Sequence, residues 1–299
     1  MSFFKNILKQ KKILVTHNGT FHADDLFATA TLSIAFNDNV KIIRTRDAKL
    51  IESADVVYDV SGIYDPKIDR FDHHQKGGAG QRESGIPYSS FGLVWRKYGE
   101  QICGSKEVAS KIDERLVQSI DANDNGINLF NIVGSVAPYT IQDMLFSFRP
   151  SWKEEQDYDS SFKNLIPLVE KIIIREIVKT KDAIDAQSIV RKAYENALDK
   201  RVIIFDGSYP WFETINEYAE PLYVISKKGD TWRAEAVRKE KHNFENRKPF
   251  PEAWAGKRDA EMAEATGVSD AVFCHNGRFL IVAKSKEGIL TLVEKALIA

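Results

Sequence analysis

Apolar positions near the start of the chain fall into short runs separated by stretches with helical spacing. Residues 13–16 (ILVT) are apolar and β-branched, and a glycine-containing turn follows, which predicts a buried strand. Between residues 24 and 36 the positions Leu26, Phe27, Ala30, Ile34 and Ala35 recur at helical intervals. Residues 40–45 predict a second strand, 48–53 a short helix and 55–60 (DVVYDV) a third strand, with a shorter run at 68–71. Strands alternating with helices predict βαβ units and a parallel sheet. A glycine-rich segment, KGGAG at 76–80, precedes helices expected over 89–102 and 107–120.

The pattern then changes. Residues 152–200 are helical in spacing with one proline, Pro167, and their second half reads as a connector. Beyond it, strands are expected at 202–205, 222–226, 232–237, 271–274 and 279–283, with helices at 259–266 and 286–298. The fold class expected is therefore α/β. A parallel-sheet domain with its connector helices would occupy residues 1–190, and a smaller α+β domain residues 200–299.

Composition narrows the function. Lys plus Arg number 42 against 43 Asp plus Glu, a balance unlike a general nucleic-acid coat, although a local basic groove is compatible with it. The two cysteines, Cys103 and Cys274, are far apart and in no CxxC pattern, which argues against a disulfide framework or a thiolate zinc site. No apolar run approaches the roughly 18 residues of a membrane span. The first twelve residues are basic without arginine and lead straight into a strand. They read as an ordinary N-terminus rather than a targeting peptide.

The polar residues that end the apolar runs carry the chemistry. THNGTFHADD follows the first strand and places His17, His22, Asp24 and Asp25 in a turn and a helix start. Asp59 ends the third strand, FDHHQ supplies Asp72, His73 and His74, and Asp121 and Asp124 lie in SIDANDNG. In an open α/β sheet, ligands bind at the C-terminal ends of strands. A single histidine near a helix start is more often a cap than a ligand, and a single aspartate there can serve the helix dipole or a turn. Their concentration at successive strand ends needs a shared reason. Imidazole with carboxylate and no thiolate suits manganese, iron or magnesium better than structural zinc. Two such ions would clamp the attacking and leaving oxygens of a phosphoryl group.

These motifs carry a resemblance. IDRF followed by Asp72-His73-His74 looks like the signature of the DHH phosphoesterase superfamily. The chain resembles its Myg family more closely, at THNGTFHADD, RTRD (44–47), DVSGIYDP (59–66), RFDHHQ (70–75), DANDNGI (121–127) and PFPEAWAGKRD (249–259). The resemblance implies a metal-dependent phosphoesterase, a 3′–5′ exonuclease acting on RNA or short oligonucleotides. It implies two divalent ions, manganese first, with magnesium or iron as alternatives. By this likeness His17, His22 and Asp24 are ligands, although the spacing departs from the superfamily's usual first motif by one residue and a histidine replaces its first aspartate. Asp59 would bridge both ions and His73 would be a further ligand. Asp72, His74 and Asp25 are assigned to catalysis. The fourth motif supplies one more aspartate, with Asp121 favoured over Asp124.

The smaller domain of such enzymes binds substrate, often through paired glycines, but this chain has Phe279-Leu280-Ile281-Val282 there. Basic side chains are the replacement candidates. Residues 233–258 hold eight Lys or Arg against four Glu, and Arg238, His242, Arg247 and Arg258 are the expected phosphate contacts. Trp232, Phe244, Phe250 and Trp254 are aromatics for base stacking or, more often, for a core. Two rival readings remain: a small-molecule phosphohydrolase acting on pyrophosphate or a dinucleotide, and a metal-binding scaffold without turnover. No membrane partner is expected, and homo-oligomerisation is left open. The location expected is cytoplasmic for a bacterial source, and mitochondrial or nuclear for a eukaryotic one.

Overall fold

The computed structural model describes residues 10–132, 134–240 and 243–299, so the first nine basic-terminus residues and His242 lie outside the described residues. The chain divides into two compact units, 1–180 and 181–299.

The first unit runs β1 (Lys12–Thr16), α1 (Ala23–Ala35), β2 (Val40–Arg44), α2 (Ala48–Glu52), β3 (Val56–Tyr58), β4 (Tyr64–Asp65), β5 (Arg70–Phe71), α3 (Ser90–Cys103), α4 (Lys106–Ile112), α5 (Gln118–Asp124) and α6 (Ile141–Phe146). The sheet order is β2-β1-β3-β5-β4, parallel except for β4, which is antiparallel at the edge. Leu14, Val56, Tyr58 and Phe71 pack one sheet face against Ala28 and Leu32 of α1 and Leu93 and Val94 of α3. Val15, Val57 and Val60 pack on the other face with Ala54. Covered on both faces, the central strands need apolar side chains throughout, which is why they read as unbroken runs. Each such side chain contributes about 1.5–3 kcal/mol on burial.

Two local departures from the expected pattern have physical causes. The third strand stops at Tyr58 because Asp59 and Ser61 turn to positive φ, 55° and 96°. The helix expected over 107–120 is α4 and α5 joined by five π-helical residues, Asp113–Val117. β4 and α6 were not foreseen, since two and six residues are too short to establish a period.

A 39-residue helix, α7 (Tyr158–Asn196), contains Pro167 and begins in the first unit, where Phe162, Leu165, Val169 and Ile173 are buried. The second unit continues with β6 (Val202–Phe205), α8 (Phe212–Ile215), β7 (Tyr223–Lys228), β8 (Thr231–Ala236), α9 (Asp259–Thr266), β9 (Ala271–Cys274), β10 (Leu280–Ala283) and α10 (Lys286–Ile298). Its order is β6-β7-β8-β10-β9, with β6 and β7 parallel and the remaining pairs antiparallel. Tyr223, Ile225, Ala234 and Ile281 form its main core with Ile289 and Leu292 of α10. The result is the expected α/β architecture: a mostly parallel sheet, then a smaller mixed one. Among the described residues no helix is long and apolar enough to cross a membrane.

Helices α3 and α5 meet where no side chain fits. A Cβ at Gly92 would lie 1.9 Å from Asp121 Oδ2, and Asp121 is fully buried. Gly92→Ala is therefore expected to destabilise the protein by about 2–3 kcal/mol through overpacking and a disturbed buried carboxylate. Urea denaturation reads this directly, and an unchanged midpoint would show that the two helices do not interlock at this point.

Candidate metal centre

Parallel pairing places the C-terminal ends of β1, β3 and β5 side by side, because β3 hydrogen-bonds to both neighbours. His17 directly follows β1, Asp59 follows β3, and Asp72, His73 and His74 follow β5. The loop after β1 then turns into α1, with His22 as N-cap and Asp24 and Asp25 in the first turn, where the helix dipole favours negative charge. Arg44 braces this loop, donating 2.8 Å to the Gly19 carbonyl and 2.7 Å to Asp159. Asp124 arrives from the end of α5. His17, His22, Asp24, Asp59, Asp72, His73, His74 and Asp124 line a cleft of about 920 Å³.

The distances are short. His17 Nε2 lies 3.2 Å from Asp25 Oδ2 and 3.1 Å from Asp59 Oδ2. His73 Nε2 lies 3.2 Å from Asp124 Oδ2, 3.5 Å from Asp59 Oδ1 and 3.9 Å from Asp24 Oδ2. Among the described residues three groups have ligand atoms within 4.8 Å of one another: His17, His22 and Asp59; Asp59, His73 and His74; and Asp24, His73 and Asp124. Asp59 belongs to the first two and turns one oxygen toward each. Its left-handed backbone, costing on the order of 1 kcal/mol, is what aims it into the cleft.

The electrostatics fit cations. Both oxygens of Asp24 are buried without a hydrogen-bond partner, and so is His73 Nε2. Burial, and then the charges of Asp59, Asp124 and Asp25, push the Asp24 carboxyl well above the usual range. Such a carboxylate costs several kcal/mol to leave unpaired. His17 Nδ1 sits 3.1 Å from the Asn18 carbonyl, which can only accept, so Nδ1 carries hydrogen and Nε2 faces two carboxylates. Burial pulls the His17 pKa down, but hydrogen bonds to Asp25 and Asp59 outweigh it and raise the value to about 10. A divalent ion would satisfy these oxygens and this nitrogen together, with nitrogen and oxygen donors and no thiolate.

The other expected residues take distinct places. Asp121 does not join the ligand groups. It accepts from Ser89 Oγ (2.5 Å) and the Gly92 amide (3.0 Å) and pairs with Arg82 (2.7 Å). Burial lifts its pKa to about 6 against those partners. Asp124 takes the position beside His73 instead. Asp25 is fully buried, and its Oδ1 accepts from the His22 amide at 2.9 Å, so it caps α1 and backs His17. Asp72 accepts from the Gly62 amide (2.5 Å) and from His74 Nδ1 (2.7 Å). The Asp72 bond, against burial, raises the His74 pKa. Nε2 is thereby left as the free nitrogen of a largely exposed ring.

In the second unit Arg247 is committed to the carbonyls of Tyr218 (2.7 Å) and Pro221 (3.0 Å). Arg238 lies over the rings of Phe212 and Phe244, and the exposed Arg258 lies over Phe273. Phe250 and Trp254 are core, Trp232 packs against that core, and Phe244 is exposed. The cleft residues not singled out from the sequence include Arg46, Gln142 and Phe146. Arg46 was discoverable, since it lies just past the end of β2. Gln142 and Phe146 come from α6, which leaves no periodic signal.

Residues 13–297 match the family model MYG1_exonuc, described as an uncharacterised protein family (UPF0160). A "MYG1 protein" of Caenorhabditis elegans is 31% identical over 331 residues, covering 95% of this chain and 95% of its own length. A "MYG1 exonuclease" of Homo sapiens is 29% identical over 319 residues, covering 94% of this chain and 85% of its own. Among solved structures, RecJ of Thermus thermophilus in complex with Mn2+ aligns at 11% identity with a TM-score of 0.29. That alignment covers 98% of this chain and 53% of the RecJ chain, so this chain spans about half of RecJ's length.

The pKa of His17 and that of Asp24 are both raised in the cleft, so the protonated form of each is stabilised. Manganese binding at pH 7 is expected to release protons, and apparent affinity to rise with pH. Calorimetry in buffers of different ionisation enthalpy measures the release. A binding enthalpy independent of buffer would remove His17 and Asp24 from the ligand set.

Proposed function

The chain belongs to the MYG1_exonuc family, and on that premise we propose a two-metal phosphodiester hydrolase that removes nucleotides from the 3′ end of RNA or short oligonucleotides. The observation that carries the reading is Asp24: two buried carboxylate oxygens without a hydrogen-bond partner, in a ligand group with His73 and Asp124 that shares His73 with the group around Asp59. His17, His22, Asp24, Asp59, His73 and Asp124 would hold the ions, manganese first, with Asp59 facing both. When bound, such ions polarise phosphoryl oxygens and lower the pKa of water.

The chain's own residues supply the rest. His74, held through Nδ1 by Asp72, lines the cleft and is suited to protonate the leaving oxygen. Arg46 is the lysine or arginine that lines the cleft, and among the described residues it forms no ion pair. It suits a non-bridging phosphate oxygen. A scaffold without turnover fits less well, because structural metal sites are closed by four ligands while these groups open on a cleft.

Hydrolysis of 5′-labelled RNA of two to about twenty nucleotides, with manganese, magnesium or chelator, tests the proposal. Laddering from the 3′ end is expected, abolished by chelator, by Asp59→Ala and by His73→Ala. His74→Ala is expected to keep its metal and lose about 10²–10⁴-fold in kcat. Cleavage confined to dimers would make it a small-nucleotide phosphodiesterase, and no cleavage of any oligomer would overturn the proposal.

A further inference from the structure

We propose that Phe146 is a platform on which a nucleobase of the substrate stacks, so that the cleft selects nucleotides over bare phosphate or pyrophosphate. The proposal rests on the hydrolase reading of the same cleft. Phe146 is the Phe, Tyr or Trp side chain lining that cleft, and it is half-buried in an otherwise mostly polar wall. An aromatic ring kept against water beside charged groups gains most when a ligand covers it.

The ring is held in place. The Arg149 guanidinium lies 3.6 Å from its centroid and backs one face. Arg149 is itself anchored, donating to the Phe21 carbonyl and lying 5.5 Å from the Phe21 ring. Phe146 ends α6, whose start is fixed by reciprocal hydrogen bonds between Thr140 and Asp143. The His22 ring meets Phe146 edge-on with centroids 6.3 Å apart. His22 belongs to a ligand group, so a base on Phe146 would sit within one nucleotide's reach of the reacting phosphate. Base–aromatic stacking tolerates any base, as an exonuclease requires, and a guanidinium behind the ring adds cation–π character.

The test compares binding of adenosine 5′-monophosphate and ribose 5-phosphate, which carries the same phosphate and sugar without a base, to manganese-loaded protein by calorimetry. Wild type is expected to bind the nucleotide about 10- to 100-fold more tightly. Phe146→Ala should remove that difference while leaving ribose 5-phosphate affinity and manganese stoichiometry unchanged, and Phe146→Trp should restore it. A variant that unfolds is recognised by its lost manganese binding, and Phe146→Leu, which keeps bulk without a π-face, then serves in place of alanine. Equal binding of the two ligands by wild type, or full discrimination retained by the alanine or leucine variant, would overturn the proposal. Discrimination lost with Phe146 in a protein that cleaves no oligonucleotide would uphold the base platform and sink the hydrolase reading alone.

Discussion

Mutual repulsion among buried carboxylates is the constraint around which the first unit is arranged. Asp24, Asp25, Asp59 and Asp72 are nearly or fully buried, and Asp124 stands beside them. Each is tolerated by a different device. Asp25 accepts a backbone amide as the cap partner of α1. Asp72 takes the Gly62 amide and His74. Asp59 stands between the imidazoles of His17 and His73, and their proximity holds its carboxyl well below the usual range against the pull of burial. Asp24 has no such partner, so burial and its neighbouring carboxylates push it toward its neutral form. A bound cation would let it ionise and would fill both oxygens.

Around this centre the supports are polar and rigid. Arg82 ties Asp113 to Asp121, and Ser89 and Gly92 grip Asp121 from α3. The next residue, Ser90, donates to Asp59 at 3.1 Å. One network thus sets α5, which carries Asp124, and steadies the carboxylate shared by two ligand groups. Asp121 acts through this bracing, and its distance from the cleft follows from it. Arg44 and Arg149 perform the same service for the loop between β1 and α1, each donating to one of its carbonyls. Residues that only brace the centre leave Arg46, His74 and Phe146 free to meet a ligand.

Most of the candidate site was legible because a parallel sheet has a simple rule. Apolar runs mark its buried strands, ligands gather at their C-terminal ends, and the polar residues that stop each run are therefore candidates. His17, Asp59 and the triplet from Asp72 to His74 were found this way. The rule has nothing to say about residues delivered by helices, where three positions along the chain change the direction of a side chain. Asp121 and Asp124 are equivalent as text and opposite in role. Phe146, on a six-residue helix in an aperiodic stretch, offered no sign at all.

The sequence by itself determined the strand and helix periods, the parallel first sheet, the smaller α+β second unit and an imidazole–carboxylate chemistry without thiolate. Those follow from local alternation and composition, which need no knowledge of distant contacts. Tertiary structure alone decided which oxygen faces which histidine. It assigned Asp24 no hydrogen-bond partner and Asp121 two hydrogen bonds and an ion pair, and it spent Arg247 on backbone carbonyls while leaving Arg46 open to the cleft. The reason is physical: the fate of a polar side chain depends on which partners burial brings within about 3 Å of it, and those partners lie tens of residues away in the chain.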